Sequence, residues 1–121
     1  MNTADDLIVD RNVLVLERWD GRIRQALRPL ITDELIAEHE RDPLGDHSDA
    51  LKRVLNYFRR ATPKDGKYLV VCTEPFRRWH IARLSGVRGR TPVYVDERNF
   101  ESEREAMHAV FLRRVEDLLR Q

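Results

Sequence analysis

The sequence predicts an α+β fold: N-terminal helices, then a three-stranded antiparallel sheet, then a C-terminal helix packed on that sheet. Three observations carry this. Through the first half of the chain, apolar residues recur at helical spacing. After the turn signal Thr62-Pro63-Lys64-Asp65-Gly66, the run Lys67-Tyr68-Leu69-Val70-Val71-Cys72-Thr73 changes to β-branched and aromatic residues, the chemistry of a strand. From Ser102 the helical spacing returns and lasts to Arg120. A chain of 121 residues is expected to form one domain. Residues 1–11 are read as an arm and residues 12–121 as the domain, with helices over 13–60, sheet over 67–96 and helix over 102–120.

The first helix is expected from Val13, with Leu16, Trp19, Ile23, Leu27 and Leu30 on one face. Pro29 lacks the N–H that a helix interior requires, so it ends or restarts this helix. Thr32 is an N-cap residue for a second helix, followed by Asp33 and Glu34 in a turn where acids suit the helix dipole. Asp42-Pro43-Leu44-Gly45 turns the chain. Ser48 or Asp46 then caps a third helix whose apolar face is Leu51, Val54, Leu55 and Phe58.

In the sheet, Arg77-Arg78-Trp79-His80-Ile81-Ala82-Arg83-Leu84 forms the second strand after a turn at Glu74-Pro75. Pro92-Val93-Tyr94-Val95 forms a short third one, at an edge because proline cannot donate to a ladder. The final helix opens with Ser102 and Glu105 at capping-box spacing. Its apolar stripe is Met107, Val110, Phe111, Val115 and Leu118, expected to lie on one sheet face. The other sheet face is then left for the N-terminal helices or for another chain.

Composition excludes several functions. The single cysteine, Cys72, permits no internal disulfide and no cysteine cage for a metal; within an apolar strand it is read as a small hydrophobe. No apolar run approaches the length of about 18 residues that suggests a membrane span. The start Met1-Asn2-Thr3-Ala4-Asp5-Asp6 is acidic where a signal peptide is basic. A cytoplasmic location is expected from the single cysteine. A net charge of +1 argues against a dedicated nucleic-acid binder.

Charge is nevertheless uneven. Residues 33–49 hold Asp33, Glu34, Glu38, Glu40, Asp42, Asp46 and Asp49 against Arg41 alone, whereas residues 75–92 hold Arg77, Arg78, Arg83, Arg88 and Arg90 and no acid.

Catalytic chemistry finds little support. His39-Glu40 begins the zinc-binding pattern H-E-x-x-H, but Pro43 stands where the second histidine belongs. His47, His80 and His108 have no metal-ligand spacing, and packing accounts for Tyr57, Tyr68 and Tyr94. No glycine-rich phosphate loop or nucleophile elbow is present. No catalytic, cofactor-binding or metal-binding residue is therefore expected in this chain. Two weaker readings stand beside this one. Arg77, Arg78, Trp79 and Arg83 could form a small nucleic-acid-binding or regulatory adaptor surface, with Trp79 as a stacking platform. His80 or His108 could serve a stand-alone enzyme.

Several stretches resemble the small (alpha) subunit family of N,N-dimethylformamidase. They are Asn56-Tyr57-Phe58-Arg59, Gly66-Lys67-Tyr68, Trp79 with Ile81, and above all Glu105-Ala106-Met107-His108-Ala109-Val110-Phe111-Leu112-Arg113-Arg114-Val115-Glu116-Asp117. The likeness runs from about Glu38 to Leu118. It implies a non-catalytic subunit of a heteromeric amidohydrolase. The large catalytic subunit of that family holds a mononuclear iron on tyrosine and glutamate side chains and hydrolyses dimethylformamide to dimethylamine and formate. The resemblance also implies an assembly with two of each subunit; from the net charge and the apolar runs, no nucleic-acid or membrane partner is expected. Arg77, Arg78, Trp79, Phe111, Arg113 and Arg114 are the residues expected to meet the large chain.

Overall fold

The computed structural model describes residues 15, 17–60, 67–84, 89 and 91–120. The arm at 1–11, the turn at 62–66 and the loop at Gly86-Val87-Arg88 lie outside the described residues. The element order is α1, described as helix over 17–27, a 3-10 turn at Arg28–Leu30, α2 (Asp33–Arg41), α3 (Asp49–Arg60), β1 (Tyr68–Glu74), β2 (Arg78–Arg83), β3 (Val93–Tyr94) and α4 (Glu103–Arg120). This is the expected α+β arrangement.

The helix ends follow from their caps. Pro29 tightens the end of α1 into the 3-10 turn. Thr32 Oγ1 accepts from the Leu35 N–H at 3.2 Å and starts α2. Ser48 Oγ accepts from the Leu51 N–H at 3.3 Å and starts α3. Glu38 of α2 binds the same serine twice, accepting from its N–H at 2.6 Å and from its hydroxyl at 2.7 Å. These bonds hold the Glu38 carboxyl below its ordinary pKa and tie α2 to the start of α3. Ser102 Oγ accepts from the Glu105 N–H at 3.2 Å at the head of α4.

The sheet is antiparallel in the order β1-β2-β3. Val70 faces Ile81 and Cys72 faces Trp79, so these residues share one side with Tyr68 and Arg83. Leu69, Val71, His80 and Ala82 occupy the other side, extended by Tyr94, which pairs with Ala82. Beyond β3 the chain continues along β2: Trp79 and Phe100 exchange both backbone hydrogen bonds, at 2.9 and 2.8 Å.

Two apolar cores share α4. Phe111, Val115 and Leu118 pack with Leu27, Leu35, Leu51, Val54 and Phe58 of the helices. Ala106, with Ala109 and Val110, packs on Tyr68, Ile81, Phe100, Val70 and Trp79 of the sheet layer. The stripe is thus divided rather than laid wholly on the sheet. The helices occupy the far side of α4, so the layers run helices, α4, sheet. Leu69, Val71, His80, Ala82 and Tyr94 belong to neither of these clusters; on that side Ala82 is buried, Leu69, Val71 and His80 are half-buried and Tyr94 is exposed.

Polar links brace α4 on both sides. Tyr68 donates to Asp117 at 3.1 Å and accepts from Arg83 at 2.7 Å. On the other side, Arg114 donates to the Phe58 carbonyl at 3.0 Å with its guanidinium over the Phe58 ring.

Candidate functional site

The β1–β2 hairpin places the first two expected interface residues, Arg77 and Arg78. Arg77 N–H donates to the Glu74 carbonyl at 3.0 Å, closing a four-residue turn with Pro75 second and Phe76 third. Phe76 has φ 63°, whereas every other described residue with positive φ is glycine. Proline second and positive φ third is the arrangement of a type II turn, whose third position normally carries glycine or asparagine. A bulky side chain there is strained, at a cost on the order of 1 kcal/mol. The Phe76 ring gains no packing in return, since the residue is 91% exposed. Glu74 bridges Arg77 at 3.6 Å and Arg78 at 3.4 Å.

The remaining expected interface residues point elsewhere. Trp79 is half-buried on the α4 side of the sheet. Phe111 is 3% exposed within the helical core. Arg113 is ion-paired with Asp96, and Arg114 is engaged with Phe58. Arg78 lies on the opposite side of β2 from Trp79 and Arg83, so the four adaptor residues share no single surface. His80 lies on the outer side beside Tyr94, ring centroids 5.2 Å apart, and away from His108. Cys72 is exposed rather than packed as a hydrophobe.

The structure also joins two histidines that the sequence reading kept apart. His39 of α2 and His108 of α4 lie with their Nδ1 atoms 2.9 Å apart. One nitrogen must donate and the other accept, so both rings cannot be doubly protonated in this geometry. His39 is 4% exposed, and its ring stacks on Phe111 with centroids 4.0 Å apart. Burial, then the neighbouring His108 and His47, push its pKa down to about 4. Burial also lowers His108, partly offset by Glu40, whose carboxylate lies 3.9 Å from Nε2. His47 stacks near His39, ring centroids 6.2 Å apart, and its Nε2 bonds the Asp42 carbonyl at 2.7 Å.

Beside this pair a cleft of about 320 Å³ is lined by His39, Phe58 and Phe111, together with Arg59, Lys67 and Arg114. Among the described residues, no three histidine, cysteine, aspartate or glutamate side chains stand together as a metal-holding set. No described helix is long and apolar enough to cross a membrane.

A family profile for the N,N-dimethylformamidase alpha subunit matches residues 14–121. The chain belongs to that family. The dimethylformamidase alpha subunit of Paracoccus aminophilus is 43% identical over 116 residues, covering 90% of this chain and 79% of the relative. The alpha subunit from an Alcaligenes species is 41% identical over 107 residues, covering 83% and 77% respectively. The dimethylformamidase alpha-subunit match takes in α1 as well as the later elements, so it reaches further towards the N-terminus than the likeness from Glu38.

Proposed function

We propose that this chain is the non-catalytic small subunit of a dimethylformamidase-like amidohydrolase. It binds a large catalytic subunit and braces the segments that form the active site there. The observation that carries the reading is the family match over residues 14–121. The word subunit in the names of both relatives supports a heteromer, and two copies of each chain is the assembly we propose.

In this reading the iron belongs to the large subunit, where it polarises the amide carbonyl and activates water. The overall reaction adds water across the C–N bond of N,N-dimethylformamide, or a related small amide, and yields amine and formate. No residue of this chain is given a catalytic role. Its contribution is mechanical: α4 joins two cores into one unit, and a rigid unit loses little conformational freedom when it docks. A cytoplasmic location belongs to the same proposal.

The test is co-expression with the large chain of an N,N-dimethylformamidase, followed by purification through a tag on this chain. The expected result is co-purification, with dimethylformamide hydrolysis only when both chains are present. Full activity of this chain alone, or failure to retain the large chain, would overturn the proposal.

A further inference from the structure

We propose that the β1–β2 hairpin tip is the surface that docks the large subunit, with Phe76 as its anchor. The inference rests on the subunit reading above. Two observations meet at this place. Phe76 holds positive φ and is almost fully exposed, so the isolated chain carries strain and an unburied aromatic ring with no internal return. Such a cost is recovered when the ring enters a pocket of another molecule, and aromatic and arginine side chains dominate the energetics of interfaces. Arg77 and Arg78 flank the ring and remain largely exposed.

The chemistry selects the occupant. Two arginines against the single Glu74 give the tip a positive balance. The matching surface is an apolar pocket rimmed by carboxylates, which we place on the large subunit. A second copy of this chain suits the patch poorly. A two-fold contact would set the same arginine pair against itself, and like charges brought together at an interface are costly.

Phe76→Gly separates this role from a structural one. Glycine accepts positive φ without strain and removes the ring. Binding is measured between the full-length chain and the large chain of an N,N-dimethylformamidase. Phe76→Gly should weaken the complex at least tenfold while the thermal midpoint of the free chain stays level or rises. The double variant Arg77→Glu/Arg78→Glu should also weaken it, with a smaller loss at high salt.

If the wild-type chain does not bind the large chain at all, the subunit reading itself fails. If the wild-type chain binds and Phe76→Gly binds equally well, the docking surface is wrong while the subunit reading stands. A fall in the free chain's thermal midpoint with Phe76→Gly would mark Phe76 as structural and overturn the inference. So would a wild-type dimer in sedimentation that Phe76→Gly converts to monomer, because the occupant would then be a second copy.

Discussion

The Nδ1 atoms of His39 and His108 face each other at 2.9 Å across the junction of α2 and α4. The bond survives only while the pair carries an acceptor nitrogen, and the Phe111 ring beneath His39 denies it a second polar partner on that side.

Stability should therefore fall on mild acidification. His39 takes up its proton near pH 6.5 when unfolded and only at about 4 when folded. Between those values the unfolded chain binds more protons, so stability decreases as pH falls from about 6.5 towards 4. His108, also lowered, acts in the same direction. The expected loss is on the order of 2 kcal/mol, read as a lower urea midpoint at pH 4.5 than at pH 7.5. An unchanged midpoint would show that the rings are not paired as described.

Replacing His39 with phenylalanine should flatten that pH dependence. Phenylalanine keeps an aromatic ring on Phe111 but removes the buried proton acceptor. At pH 7.5 the change should cost no more than about 1–2 kcal/mol, because His108 loses one partner. At pH 4.5 the variant should be the more stable of the two proteins. His39→Ala, which leaves a void, should lose about 2–3 kcal/mol at pH 7.5. Urea unfolding at both pH values separates the three proteins.

Local features were legible in the sequence and distant partnerships were not. Thr32 and Ser102 cap their helices as read, and Ser48 is the one of the two candidates, Ser48 and Asp46, that caps α3, because a cap is a contact within one turn. Pro92 marked an edge strand for an equally local reason. The α4 stripe signalled burial but not what buries it; the structure divides it between helices and sheet. The His39–His108 bond spans 69 positions, and no spacing rule announces it. Strand chemistry around Cys72 does not tell how far the covering layer extends, and the thiol is exposed. Glu74-Pro75 announced a turn, but the positive φ at Phe76 depends on the turn type, which that phenylalanine does not advertise.

Ala106 sets how closely α4 approaches the sheet. It is fully buried, among Tyr68, Ile81 and Phe100. Ala106→Leu adds three carbons where there is no room and should push the helix off the strands. The expected cost is about 1–3 kcal/mol, possible to read as a lower thermal midpoint. Ala106→Gly tests the opposite direction: it relieves crowding but costs about 1 kcal/mol in helix propensity. Both variants should destabilise, and a neutral Ala106→Leu would show that the layers are looser than the structure places them.

Tyr68 is the polar counterpart of that contact. Its hydroxyl receives Arg83 and donates to Asp117, so one oxygen links β1, β2 and α4. Tyr68→Phe keeps the ring, including the Arg83 guanidinium 4.9 Å from its centroid, and removes only the oxygen. The loss should be about 1–2 kcal/mol, because two hydrogen bonds to charged groups vanish. A double-mutant cycle with Asp117→Asn isolates the α4 side of the link. If the hydroxyl works as described, the two changes together should cost less than the sum of each alone. Strict additivity would mean that Tyr68 and Asp117 do not interact, and that apolar packing alone holds α4 to the sheet.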